Sequence, residues 1–214
     1  MTNAAERFAQ LPSEKRDRLL DPAEAEFIDR GYDAASLNRV LSNAGMSKGQ
    51  AYHYITGKSD LYLWVCKRRF LPLLEQAESC LRFDQGAEFW SVVEGCSAAL
   101  VEKLEADPAL SSLARGVYDS AAASTVLVPL AERVDALLNR AIDAGRSADV
   151  IRDDLPRDMV RDMLKGAAIS LDRWFARFGP TLDPTEAEHA THGALEMLRN
   201  MVAPVEGGRD ATDA

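Results

Sequence analysis

Apolar side chains recur every three or four residues along most of the chain, which is the period of an amphipathic α-helix. Apart from one helix that starts at Ser59, the pattern predicts helices over about 13–30, 37–44, 47–55, 86–106, 108–120, 122–144, 156–178 and 184–202. β-Branched runs are nearly absent, and aromatic residues make up only 7% of the chain. We therefore expect an all-α fold.

Three prolines fall inside the predicted helices. Pro22 should kink the first helix or split it near Asp21, because proline lacks the amide that an interior helical position donates. Pro72 should bend the helix that starts at Ser59, and Pro129 should make the 122–144 helix irregular.

The stretch from Ser36 to Lys58 has the pattern of two short helices across a tight turn. Ser36 and Ser47 are expected N-caps, and Gly45 stands where a left-handed residue often ends a helix. The first helix turns one apolar face inward, and the second leaves most of its side chains outside. The outward residues suit the major groove of DNA, and they are Lys48, Gly49, Gln50, Tyr52 and His53.

The local charge supports a phosphate partner for this stretch. The chain carries 34 acidic and 25 basic residues, a net charge of −9, yet no acid occurs between Asp33 and Asp60. That window contains Arg39, Lys48 and Lys58. Phosphate explains such a window, whereas a chance gap in a core-packed helix pair is the alternative. A sequence pI near 4.9 argues against nonspecific coating of nucleic acid.

The run from about Leu19 to Val65 resembles the N-terminal DNA-binding domain of TetR-like bacterial regulators. The matching features are FIDRGY at 27–32, AGMSKGQAYHY at 44–54, and the Gly57–Ser59 segment with the leucine that follows at position 61. The resemblance is specific over about 45 residues. Beyond them it extends only to chain length and helix number.

The resemblance implies a role for each matching residue of this stretch. Lys48 and Gln50 would meet base edges, and Gly49 would allow close approach to the groove. The remaining positions would contact the phosphate backbone, and they are Ser36, Asn38, Arg39, Tyr52, His53 and Lys58. For Tyr52, a place in the core is the alternative.

The same resemblance predicts the domain organisation. We expect a flexible arm over residues 1–10, a three-helix head with a helix-turn-helix over 11–58, a helical effector-binding and dimerisation domain over 59–203, and a disordered tail over 204–214. Bulky side chains on the later helices could line an effector pocket, and the candidates are Trp90, Tyr118, Met163 and Trp174. Ordinary core packing is the alternative for each of them.

The last two long helices carry small residues at close spacing, which permits close helix approach. In the resembling family these two helices form a four-helix dimer interface. We expect the same here for Gly166, Ser170, Ala190, Gly193, Ala194 and Met197. Packing within one chain is the alternative.

These features predict a homodimeric repressor that binds a double-stranded DNA operator and is released from it by a small-molecule effector. We expect a cytoplasmic protein, associated with the nucleoid when bound to DNA, with no cofactor, metal or membrane partner. The N-terminus has no signal-peptide pattern, and no apolar run approaches the ~18 residues of a membrane span. An activator or a nucleoid-type protein without a ligand is a further hypothesis.

An enzyme is not expected, because GxSxG, GxGxxG and GxxxxGKS are all absent from the sequence. The alternative is a helical-bundle enzyme or metal-binding protein with an accessory DNA-binding head. Its strongest support is the i, i+3 spacing of Glu186, His189 and His192. A solvated helix start or a dimer rim explains the same three residues.

Cys66, Cys80 and Cys96 have no CxxC spacing and are an odd number. We expect three reduced, buried thiols, as in cytosolic proteins. A redox sensor is the alternative.

Overall fold

The computed structural model describes residues 4–83 and 88–205, and within these ranges the chain is helical without a strand. The helices are α1 (Ala4–Ala9), α2 (Ser13–Ala34), α3 (Leu37–Asn43), α4 (Lys48–Ala51), α5 (Lys58–Cys80), α6 (Phe89–Ala106), α7 (Pro108–Asp119), α8 (Ala121–Val126), α9 (Val128–Ser147), α10 (Arg157–Phe178) and α11 (Pro184–Val202). A 3₁₀ turn, Gly179–Thr181, follows α10. The all-α prediction is confirmed.

Of the three prolines expected to disturb helices, Pro22 and Pro72 lie within continuous helices, and Pro129 lies beside a break. Gly31 has φ of +66° and is the one non-helical residue inside α2, whereas the helix continues through Pro22. Proline removes only its own amide, so the predicted split near Asp21 is wrong. Helix α5 likewise extends through Pro72. The predicted 122–144 helix is instead two helices, because Leu127 separates α8 from α9 and Pro129 lies in the first turn of α9.

The chain forms two compact units. The first contains Met1–Gln76 and Leu100–Glu132, and the second contains Ala77–Ala99 and Arg133–Ala214. The division differs from the predicted boundary at residue 58, because α5 continues the first unit to Gln76 and α7 and α8 join it. The predicted disordered tail falls mostly on 206–214, outside the described residues.

The first unit has one apolar core shared by α1, α2, α3, α5, α7 and α8. Phe8, Leu19, Leu61 and Val65 are almost completely buried in it. The Phe8 ring lies 4.9 Å from the Trp64 ring, centroid to centroid. The flexible arm predicted over residues 1–10 is therefore corrected for Ala4–Ala9, which form a helix fixed to the head by an apolar anchor.

Ion pairs connect α5 with its neighbours in the first unit. Arg68 lies 2.7 Å from Asp21 and 2.6 Å from Glu24, both on α2. Arg69 lies 2.7 Å from Asp107, whose other carboxylate oxygen accepts the Leu110 amide at the start of α7. Arg68 and Arg69 thus connect α5 to α2 and to the residue that caps the start of α7.

The second unit has a smaller core made of Phe89, Ile142, Ile151, Val160 and Val202. A Cβ at Gly145 would lie 2.5 Å from the Ile151 side chain, so a larger residue at 145 would displace it. Helices α10 and α11 pack on each other in this unit. Among the described residues, no helix combines the length and apolar character that crossing a membrane requires.

Replacement of Phe8 by alanine tests whether α1 belongs to the head. We expect the free energy of unfolding to fall by about 3 kcal/mol or more, because a fully buried phenylalanine leaves a cavity in the core. Urea denaturation followed by circular dichroism measures the change. Gln10→Ala, at an exposed neighbour, should leave the midpoint nearly unchanged. Equal stability of F8A and the parent would contradict the anchored helix.

Candidate nucleic-acid interface

The helix-turn-helix is held to α2 by a buried carboxylate. Glu26 is only 8% exposed, and its Oε1 accepts the Ser36 amide at 2.8 Å. Both Nε and Nη2 of Arg39 also donate to Glu26, at 2.9 and 2.6 Å from Oε1. These hydrogen bonds, above all those from Arg39, hold the pKa of the Glu26 carboxyl below its ordinary value. Arg39 is therefore paired with an acid of its own chain.

Lys58 joins the end of α2 to the start of α5. Its Nζ lies 2.6 Å from the Tyr32 carbonyl oxygen, 3.1 Å from that of Asp33 and 3.2 Å from that of Ala35. The ammonium also sits 4.7 Å from the centre of the Tyr32 ring. An ammonium has three protons, and three carbonyls accept from this one. Its positive charge, however, has no carboxylate partner among these contacts.

Arg18 of α2 supports the turn between the two short helices. Its Nε donates to the Ala44 carbonyl at 3.0 Å, and its Nη2 donates to that of Gly45 at 3.2 Å. Gly45 has φ of +59°, the left-handed conformation predicted for this position. The backbone carbonyls at the end of α3, which have no partner within the helix, thus accept hydrogen bonds from an arginine of α2.

The second short helix, α4, begins with a capping box. The Ser47 hydroxyl accepts the Gln50 amide at 3.3 Å, and the Gln50 side-chain oxygen accepts the Ser47 amide at 3.0 Å. Ala51 and Ile55 are completely buried and fix α4 to the core. The predicted Ser47 cap is present, and Gln50 takes part in the box.

The remaining predicted residues of the stretch form an outward surface. Tyr52 is 51% exposed, and Lys48, Asn38 and His53 are exposed as well. A Cβ placed on Gly49 would meet no atom within 4 Å. We name Asn38, Lys48, Gly49, Tyr52 and His53 the head surface. The core alternative for Tyr52 does not fit its exposure.

Arg7 of α1 also contacts this region, through the protein backbone. Its Nε donates to the His53 carbonyl at 2.7 Å, just after α4. The sequence offered no signal for this contact, because residues 1–10 lack a clear apolar period. Glu26 did carry a signal, since an acid between the buried Ala23 and Phe27 requires a partner.

The predicted pocket residues are divided between the two units. Tyr118 belongs to the first unit, whereas Trp90, Met163 and Trp174 belong to the second. Met163 is 44% and Trp174 is 41% exposed, and Trp90 packs against Phe89 with ring centroids 5.0 Å apart. The exposure of Met163 and Trp174 is typical of an interface more than of a closed ligand site.

The predicted dimer residues lie on an apolar stripe of α10 and α11. On α10, Met159, Met163, Gly166, Ser170 and Trp174 are exposed at intervals of three or four residues. On α11, Ala190, Gly193, Ala194 and Met197 follow the same spacing, and Met197 is 62% exposed. We name these residues the α10–α11 stripe. On each of the two helices these residues share one face, which is exposed on α10 and half-buried at Ala190, Gly193 and Ala194 of α11.

The metal alternative requires a group of side chains that can bind an ion together. In the part of the chain that the structure describes, no three His, Cys, Asp or Glu side chains form such a group. His192 lies 3.5 Å from Glu196 on the exposed surface of α11. The thiols differ from the prediction, because only Cys66 is buried; Cys80 is exposed and Cys96 is half-buried.

Comparison with known proteins gives one family for the head. Residues 19–65 match the family described as "Bacterial regulatory proteins, tetR family". The HTH-type transcriptional activator FasR of Mycolicibacterium smegmatis is 38% identical over 77 residues, which are 36% of this chain and 35% of FasR. This chain thus matches about a third of FasR.

Two further proteins are similar over most of their length. The HTH-type transcriptional repressor Rv1474c of Mycobacterium tuberculosis is 27% identical over 200 residues, covering 88% of this chain and 92% of Rv1474c. The crystal structure of the regulator FadR from Bacillus subtilis, in complex with stearoyl-CoA, superposes with a TM-score of 0.69. Its sequence identity is 15%, and the match covers 86% of this chain and 98% of FadR.

Replacement of Glu26 by glutamine tests the buried pair. Because the folded-state pKa is lowered, Glu26 stabilises the head above its ordinary value of 4.5, and this stabilisation is lost as the pH falls through the folded pKa. E26Q should lower the melting temperature at pH 7 by several degrees and flatten the decline of stability below pH 4.5.

Thermal melts between about pH 3 and 8 measure both effects. Glu105→Gln, at an exposed acid of α6, is the matched control and should leave the profile unchanged. An E26Q profile parallel to that of the parent would contradict a stabilising Glu26–Arg39 pair.

Proposed function

Because the chain is a TetR-like transcriptional regulator, we propose that it is a homodimeric repressor that binds a DNA operator and leaves it when an effector binds. The single observation that supports this best is the head surface on a family-matched helix-turn-helix. Its side chains point away from the core, while the residues around them are fastened to α2, α5 and α1. A rigid support of this kind suits recognition of a fixed groove.

The contacts within the head divide the candidate DNA residues into two groups. Lys48, Tyr52, His53 and Asn38 are proposed to meet the DNA directly, with Gly49 allowing close approach. The second group is proposed to position the first, and it contains Arg39, Gln50, Lys58 and the Ser36 amide. The Ser36 hydroxyl makes no capping hydrogen bond and is proposed to contact a phosphate.

The α10–α11 stripe supports the proposal of a dimer. An exposed row of methionine, tryptophan and small residues is costly in water, and a second copy would cover it. Two heads related by a two-fold axis would present α4 to half-sites about 34–36 Å apart. The operator would then be a pseudo-palindrome.

The effector is proposed to be an apolar or aromatic small molecule that binds the helical region after the head. Rv1474c is named a repressor, and the FadR structure contains stearoyl-CoA. Of the predicted pocket residues, Trp90 packs against Phe89 within the second unit and fits such a ligand, whereas Met163 and Trp174 lie on the α10–α11 stripe. Emptying a fully occupied operator requires a differential affinity of about 10⁴-fold between the two conformations. A cytoplasmic location follows from this role.

An activator remains the second candidate, because FasR, which matches the head, is named an activator. Deletion of the gene separates the two functions. Transcription from the bound promoter should rise if the protein represses it and fall if the protein activates it.

Operator binding is the direct test of the head surface. The DNA upstream of the protein's own gene is the first probe, mapped by footprinting. Tyr52→Ala should weaken binding at least tenfold, because each of the two heads loses an aromatic contact to the backbone. Lys48→Ala should reduce the slope of log K against log salt by about 1 for each head. Fluorescence anisotropy at several salt concentrations measures both quantities.

Two further variants keep this test specific. Lys103→Ala removes an exposed lysine from α6 and should leave affinity and slope unchanged. Lys58→Met should lower the melting temperature, because three carbonyls lose their donor, while the salt slope stays that of the parent. A lowered slope with unchanged stability would instead make Lys58 a direct phosphate ligand. Parental affinity of folded Y52A and K48A would contradict the head surface.

Solution mass tests the dimer. The parent should sediment at twice the protomer mass of 23.4 kDa, and Ala190→Glu should shift it towards the monomer by burying a charge in the α10–α11 stripe. Ala136→Glu, at an exposed alanine of α9, is the matched control and should stay dimeric. A monomeric parent, or a dimeric A190E, would contradict this interface.

A further inference from the structure

Arg18 brings a cation to the turn of the helix-turn-helix from a distant part of the chain. It lies on α2, whereas its two acceptors, the carbonyls of Ala44 and Gly45, stand 26 and 27 residues later. The acid-free window between Asp33 and Asp60 therefore does not include it. The residues proposed above to meet the DNA do not include it either.

The two hydrogen bonds fix the orientation of the Arg18 guanidinium. The Nε contact to Ala44 is half-buried, whereas the Nη2 contact to Gly45 lies at the surface. A Cβ on Gly45 would lie 3.2 Å from Nη2, so the guanidinium packs against the turn. A guanidinium carries five N–H protons, and these two bonds use two of them. Both Nη1 protons are among the three that remain, on a side chain that is exposed.

Helix α2 holds the base of the Arg18 side chain at a fixed place. Leu19 and Leu20 follow it directly, and both are almost completely buried in the core of the first unit. The side chain is thus fixed by the helix at one end and by the turn at the other. Because folding has already removed rotamer freedom from this arginine, a ligand that binds it has less to order.

The charge of Arg18 is not neutralised in the way that other arginines of the first unit are. The Arg39 guanidinium lies 2.6 Å from the Glu26 carboxylate. That of Arg68 lies 2.6 Å from the Glu24 carboxylate. Within the described part of the chain, Arg18 contacts neutral carbonyls and forms no ion pair. Its positive charge is therefore available to an anion from outside the protein.

The turn that Arg18 holds leads directly into α4. Gly45 is followed within two residues by Ser47, which caps this helix, and Lys48 begins it. In a helix-turn-helix the first residues of the second helix meet the base edges, so the turn before them lies beside the phosphates at the edge of the groove. Resting on the proposed function, we propose that Arg18 both caps the end of α3 and binds an operator phosphate.

A phosphate matches what the protein leaves unused on this side chain. Its anionic oxygens accept from neighbouring N–H groups of one guanidinium, and the bond is assisted by charge. A cation that contacts a DNA phosphate releases counterions, so the contact contributes to the salt dependence of binding. An arginine that only caps a turn stabilises the fold and contributes nothing to this dependence. The two roles can therefore be separated by measurement.

Arg18→Gln and Arg18→Lys separate the charge from the cap. Glutamine keeps an N–H donor for a turn carbonyl and has no charge, whereas lysine keeps the charge. The probe is the footprinted DNA upstream of the protein's own gene, and fluorescence anisotropy at several salt concentrations gives Kd and its salt slope. We expect R18Q to weaken binding at least fivefold and to reduce the slope by about 1 for each head. R18K should keep the parental slope.

A matched control lies on the same helix. Arg30→Gln removes the same charge from an exposed position at the other end of α2, where Arg30 is paired with Asp29. Affinity and slope should stay those of the parent. Thermal melts confirm that each variant is folded, and Arg18→Met, which keeps the apolar stem of the side chain, takes the place of R18Q if that variant does not fold.

Operators with a single neutral methylphosphonate locate the contact. One phosphate in each half-site should weaken binding of the parent when it is neutralised and have no further effect on R18Q, because both changes remove the same interaction. A parental slope in folded R18Q, or additive losses at every phosphate, would overturn the phosphate contact and leave the proposed function standing. A folded parent that binds no operator DNA would count against the proposed function itself.

Discussion

The ammonium of Lys58 is the interaction on which the head depends. It donates to three backbone carbonyls at the end of α2, not to a carboxylate, and so joins these carbonyls to the first turn of α5. Helix termini leave carbonyls without a donor, and a lysine at the start of the next long helix supplies one. Glu26 repeats the principle at the start of α3, where a carboxylate receives the orphan Ser36 amide. The charged side chains of Lys58 and Glu26 thus position the two short helices, because they hydrogen-bond to backbone groups that the helix ends leave without a partner.

This arrangement sharpens the meaning of the acid-free window between Asp33 and Asp60. Arg39 is neutralised by Glu26, which lies outside the window in sequence and beside it in space. Lys48 is left as an exposed cation, whereas the Lys58 ammonium donates to three backbone carbonyls of its own chain. Arg68 and Arg69 of α5 are neutralised in the same way, because they form ion pairs with Glu24 of α2 and with Asp107 at the start of α7. Counting charges along the sequence therefore overstates the field that DNA would meet.

The helices, the left-handed Gly45 and the Ser47 cap could be predicted, because each depends on a few neighbouring residues. The partners of Arg39 and Lys58 could not, since they lie at the ends of other helices and the sequence gives no distance. Phe8 was missed because one apolar residue in a short polar segment has no period to detect. Local rules therefore recovered the elements, and tertiary contacts decided which side chains remain available.

The open space at Gly49 bears on how such a head could acquire a different operator. A side chain introduced there would meet no atom of the protein within 4 Å, and Gly49 has no positive φ that only glycine adopts. Replacing glycine inside a helix also removes a propensity cost of about 1 kcal/mol. New side chains at this position could then reach towards the groove without disturbing the scaffold. Position 49 is consequently where the binding preference of this protein can evolve, or be engineered, most independently of its stability.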